Sequence, residues 1–167
     1  MSKTGPTMQT TRRRILAGAG AIIGGAALPT IALVRPASAQ RQANPAALAL
    51  AIRKVVGEAE VKQGKVKLDV PPLSENGNSV PLTVTVESPM TKDNYVKAIH
   101  VFTEKNPQPN VIGVQLGPRA GKASMQTRFR LADSQTVTAI AELSDGTFWS
   151  DSADVIITLG ACLEDPI

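Results

Sequence analysis

The sequence predicts an all-β protein, an immunoglobulin-like sandwich of seven or eight strands preceded by one N-terminal α-helix. Three observations predict it. Beyond residue 64, apolar and polar residues alternate in short runs, the period of a half-buried strand. Gly, Pro, Asn and Asp separate the runs at the spacing of a sandwich. One stretch alone, 45–56, carries its apolar residues at helical spacing.

The helix comes first. Asn44 is a cap, Pro45 suits the first helical position, and Leu48, Ile52, Val55 and Val56 fall on one face. Gly57 can close it, and 58–64 reads as a polar connector. Strand patterns follow at 65–70, 80–87, 95–103, 111–116, 123–131, 136–143, 147–152 and 154–159. In 65–70, for example, Val66, Leu68 and Val70 alternate with Lys65, Lys67 and Asp69. Pro71-Pro72, Glu75-Asn76-Gly77-Asn78, Pro107-Gln108-Pro109-Asn110, Gly117-Pro118 and Ser144-Asp145-Gly146 are the separators. The Asp-Gly pair between two strand patterns is the clearest hairpin signal. No Cys…Trp…Cys spacing exists, which excludes an antibody-type domain.

Residues 1–39 read as a cleavable twin-arginine signal rather than as part of the fold. Arg12 and Arg13 form the export pair, an Ala/Gly-rich apolar run follows, and Ala37-Ser38-Ala39 is a cleavage site with the cut after Ala39. As a membrane anchor the run is weak, being broken by Pro29 and made of small residues. The expected destination is the periplasm, with no membrane attachment after cleavage. Five of the 18 basic residues lie in this segment and none of the 14 acids does. The mature part keeps 13 bases against 14 acids, so the basic character of the whole chain gives no nucleic-acid footprint. Arg128 and Arg130, the densest basic pair, occupy the wet positions of a strand.

The sandwich pattern carries little chemistry. His100 is the one histidine, and it reads as a partly buried or edge-strand residue satisfied by a neighbour. One His and one distant Cys cannot supply the four ligands of a structural zinc site, and no CxxC is present. No metal or other cofactor is expected. Gly117-Pro118-Arg119-Ala120-Gly121 lacks the lysine and helix of a phosphate loop. Asp133, Glu142, Asp145, Asp151 and Asp154 sit near turns, where capping explains them. Met90 and Met125 are turn and core residues. The chain is not expected to be an enzyme by itself.

What remains is the tail, Gly160-Ala161-Cys162-Leu163-Glu164-Asp165-Pro166-Ile167, with the single cysteine of the chain. An odd thiol in an exported protein is an intermolecular partner or a reactive group. Gly160 ends the last strand by supplying backbone angles that other residues avoid, and acts as the hinge of an arm over 160–167. Cys162 is sixth from the end, so it does not fit a prenylation signal, which needs the fourth. Glu164, Asp165 and the terminal carboxylate place negative charge near the thiol and disfavour the thiolate. The resulting division is a signal at 1–39, helix and connector at 40–64, sandwich at 65–159 and cysteine arm at 160–167.

The chain resembles the SoxY family, the sulfur-compound-carrying subunit of the bacterial Sox system. The resemblance rests on the twin-arginine signal, the preceding helix, SVPLTVTVESPMTKDNYVKAIHVFTEKNPQP, FRLADSQTVTAIAELSDGTFWS, and a final strand leading to a cysteine. It implies that Cys162 carries sulfur intermediates of thiosulfate oxidation covalently and presents them to partner enzymes. It also implies a heterodimer with a SoxZ-like subunit. The usual family tail is Gly-Gly-Cys-Gly-Gly, and here Gly160 alone is retained. A reading of another class is an exported interaction module whose Cys162 forms an intermolecular disulfide.

Overall fold

A computed structural model of the chain describes residues 42–161. In chain order these form α1 (Pro45–Val56), β1 (Val61–Gln63), β2 (Val66–Asp69), β3 (Leu73–Asn76), β4 (Val80–Val86) and β5 (Val96–Thr103). Then come β6 (Asn110–Gln115), β7 (Ser124–Phe129), β8 (Gln135–Leu143) and β9 (Phe148–Leu159). The larger sheet has the order β1-β9-β8-β5-β6, with β3 also paired to β9, and the smaller is β2-β4-β7. The immunoglobulin-like sandwich with a preceding helix is therefore the observed fold.

Alternation in the sequence becomes inside and outside in the sheets. Val80, Leu82, Val84 and Val86 of β4 meet Ile99 and Val101 of β5 and Val137, Ala139, Ala141 and Leu143 of β8 in one core. Burying each large aliphatic side chain contributes about 1.5–3 kcal/mol. The opposite face of the larger sheet is covered by α1. There Phe102, Ile140 and Phe148 receive Leu48, Ile52, Val55 and Val56, the face expected from the spacing, together with Ala51. Asn44 Oδ1 accepts the Ala47 N–H at 3.0 Å, and Gly57, with φ +63°, donates to Arg53 O at 2.8 Å. Both caps expected from the sequence are in place.

Among the described residues nine strands replace the expected seven or eight. The patterns at 147–152 and 154–159 are one strand, because Ser152, Ala153 and Asp154 pair without a break with Thr138, Val137 and Thr136 of β8. Two further strands lie in segments read as connector and turn. Val61–Gln63 runs parallel to β9 at Phe148–Ser150, and Leu73–Asn76 runs parallel to it at Ile156–Leu159. Between them the chain crosses to the smaller sheet as β2. Along this crossing Asp151 Oδ2 accepts the Leu68 N–H at 2.8 Å, so a carboxylate serves the edge of β9 between the two parallel partners.

Candidate functional site

Arg12, Arg13, Ala39 and Cys162, with the acidic Glu164 and Asp165 beyond it, lie outside the described residues. What the structure does define is the point from which Cys162 departs.

That point is a clamp of backbone groups. Gly77 donates to Leu159 O at 2.8 Å, Leu131 donates to Gly77 O at 2.8 Å, and Ala161 donates to Leu131 O at 3.0 Å. Ala161 is 8% exposed, so the chain stays packed on the body through that residue. A Cβ on Gly77 would overlap Leu131 O and lie 2.9 Å from Ala161 N and 3.1 Å from Ile157 Cγ2. A Cβ on Gly160 would overlap Ala132 O.

Gly160 therefore differs from the expected hinge. It is not among the glycines with positive φ, so no unusual backbone angle calls for it. Close approach to Ala132 does. Residues 160 and 161, expected in the arm, are packed on the body. One peptide unit separates the anchored Ala161 from Cys162, a step of about 3.8 Å between Cα atoms. Gly77 and Leu131 were missed from the sequence. Asn76-Gly77 looks like ordinary turn chemistry, and nothing local to it reports a chain passing from residue 131.

His100 sits on the interior strand β5, opposite Gly113 of β6 and Ile140 of β8. The expectation of a satisfied histidine fails at one atom. Nδ1 is buried and has no hydrogen-bond partner among the described residues. Burial lowers its pKa from 6.5, opposed by the charge of Glu142, which is itself paired with Lys97. The folded protein thus takes up this proton at lower pH than the unfolded chain does. Stability from the neutral ring is complete above pH 6.5 and is lost as pH falls through the folded pKa. His100→Leu should remove that acid-side loss. The check is the thermal midpoint at about pH 7.5 and about pH 5, spanning the ordinary histidine range. Parallel pH dependence in the two proteins would show that His100 carries none of it.

The other candidates have structural work. Asp145 accepts from the Thr147 hydroxyl at 2.7 Å and its N–H at 2.9 Å, which lowers its pKa, and so closes the β8–β9 hairpin. Asp133 pairs with Lys105 at 3.3 Å, and Asp154 accepts from Thr136 Oγ1 at 2.9 Å. Met125 is in the core, and Met90 is buried with φ +51°. Residues Pro118–Ala120 form a single 3₁₀ turn between β6 and β7. Arg128 and Arg130 are exposed, as the strand pattern implied. Among the described residues no three His, Cys, Asp or Glu side chains gather where they could hold a metal, and no helix is long and apolar enough to cross a membrane.

Comparison with known proteins adds the family. The family model described as "Sulfur oxidation protein SoxY" matches residues 52–162, a stretch that ends on Cys162. The fold is similar to that of the sulfur carrier protein SoxY from Chlorobium limicola f thiosulfatophilum, with TM-score 0.59 and 24% identity over 70% of this chain and 100% of that one. A superoxide reductase (neelaredoxin) from Ignicoccus hospitalis is similar at TM-score 0.51 and 14% identity, over 56% of this chain and 80% of that one. At these identities the two structures show a shared sandwich. No curated protein matches the sequence.

Proposed function

The chain belongs to the SoxY family, the sulfur carriers of sulfur oxidation, and from that premise we propose that it is a periplasmic carrier holding its cargo covalently on Cys162. The observation that carries the reading is the family match running to Cys162 itself, the single thiol of the chain. Joining this thiol to thiosulfate forms an S–S bond and releases one proton and two electrons. The electrons pass to a partner enzyme of the Sox system, and the sandwich supplies the platform. A SoxZ-like subunit is the proposed second half of a heterodimer, whose interface at ordinary size would bury roughly 1,200–2,000 Å². Export through the twin-arginine pathway, directed by Arg12 and Arg13 and ended by cleavage after Ala39, completes the reading.

The clamp shapes this function. Ala161 is held against Leu131 and one peptide step joins it to Cys162, so on this reading the partner enzyme comes to the body of the carrier. One experiment tests the whole reading: intact mass of the protein from the periplasm of its host grown on thiosulfate, with and without a reductant. The expected species begins at Gln40 and carries a sulfur adduct that the reductant removes. A reducible covalent dimer without adducts would establish the disulfide-linker reading in its place.

A further inference from the structure

We propose that the acidic end of the chain, residues 163–167, docks in the same molecule in the groove between β6 and β7. These are edge strands, one from each sheet, and the groove between them has a volume of about 460 Å³. Arg128 and Arg130 of the β7 segment line it, with Phe129, Val111 and Ile112 as apolar wall and Asn106 among the polar lining. Among the described residues no carboxylate lies within ion-pair distance of either arginine. Among the described residues Arg128 hydrogen-bonds Ser79, its Nη1 donating at 3.4 Å to the carbonyl and to the hydroxyl.

The tail complements this groove in charge, pattern and length. Leu163-Glu164-Asp165-Pro166-Ile167 has two acids, with an apolar residue at either end. Its root is fixed close by. Ala161 donates to Leu131 O at 3.0 Å, and the carbonyl of the adjoining Arg130 accepts from Asn106 Nδ2 at 2.8 Å on the groove's rim. The six residues after Ala161 span at most about 20 Å when extended, enough to pass Arg130 and reach Arg128. Each exposed ion pair is weak by itself. Tethering at a clamped residue raises the effective concentration of the tail to the millimolar range, and Pro166 lowers the entropy lost on docking. Docking would hold Cys162 against the body with Arg130 near it, offsetting the negative charge of Glu164 and Asp165. That consequence for the thiol rests on the carrier reading; the docking itself does not.

The test is ¹⁵N relaxation of the mature chain. In the native protein at low salt, the amides of Glu164 and Asp165 should relax like those of the strands. Arg128→Gln with Arg130→Gln should lower the docked-to-free ratio about 1.4-fold to fivefold per arginine, the range for exposed pairs. About 0.5 M NaCl should act in the same direction, since it screens such pairs. Charge exchange, Arg128→Glu and Arg130→Glu with Glu164→Lys and Asp165→Lys, should restore docking. Tail amides that relax as a free chain in the native protein would overturn the proposal. So would relaxation unchanged by the arginine substitutions, or a charge exchange that restores nothing. Failure to find adducts on Cys162 would remove the carrier reading and leave this result standing.

Discussion

Gly77→Ala is expected to destabilise the protein by about 1–3 kcal/mol, the usual cost of forcing a methyl group into a filled site. The new Cβ would overlap Leu131 O and press on Ala161 N at 2.9 Å. Both are backbone atoms, so no rotamer change relieves the contact. Relief requires the 77, 131 and 161 segments to separate, and that breaks the Leu131-to-Gly77 and Ala161-to-Leu131 hydrogen bonds, 2.8 and 3.0 Å long. Gly160→Ala should behave similarly, through Ala132 O. The control is Gly117→Ala, where a Cβ meets nothing within 4 Å and the φ of −145° suits any residue. It should stay within about 0.5 kcal/mol of the native protein, as surface changes do. Urea midpoints measure all three. If Gly77→Ala matched Gly117→Ala, the close approach of Gly77 to Leu131 and Ala161 would not be what holds the chain exit.

Legibility in the sequence followed the range of the interaction. Where structure depends on neighbours along the chain, the residues declared it. Val80, Leu82, Val84 and Val86 alternate because β4 has one buried face, and Asn44 caps a helix whose own face is Leu48, Ile52, Val55 and Val56. The Asp145-Gly146 hairpin is equally local, with Gly146 at φ +79°. β1 and β3 are different. Val61-Lys62-Gln63 and Leu73-Ser74-Glu75-Asn76 are strands because β9, more than 80 residues away, offers its edge to both. Nothing in three or four residues can announce that. Gly160 shows the same limit from the other side. A glycine at a strand end suggests freedom, yet here the reason is that Ala132 O occupies the space a Cβ would need. His100 was legible as half-buried but not as unpaired, because Gly113 opposite it provides space and no acceptor side chain.

Cys162→Ser should abolish every covalent sulfur adduct and leave stability unchanged within about 0.5 kcal/mol. The two halves have separate causes. Attachment requires a sulfur nucleophile that can form an S–S bond, and a serine hydroxyl neither ionises near neutral pH nor forms that bond. Stability at the chain exit comes from the Ala161 N–H, the Leu131 carbonyl and the close approach of Gly77 and Gly160, none of which involves a side chain at 162. With one cysteine in the chain, no internal disulfide is lost either. The measurement pairs intact mass of protein from thiosulfate-grown host with a urea midpoint on the same preparation. Adducts persisting on the serine variant would move the attachment to another residue and end the assignment of Cys162. A midpoint lowered as far as that of Gly77→Ala would be the more serious outcome. It would make Cys162 part of the packing that holds the chain end, and a thiol committed to packing cannot also be presented to a partner enzyme.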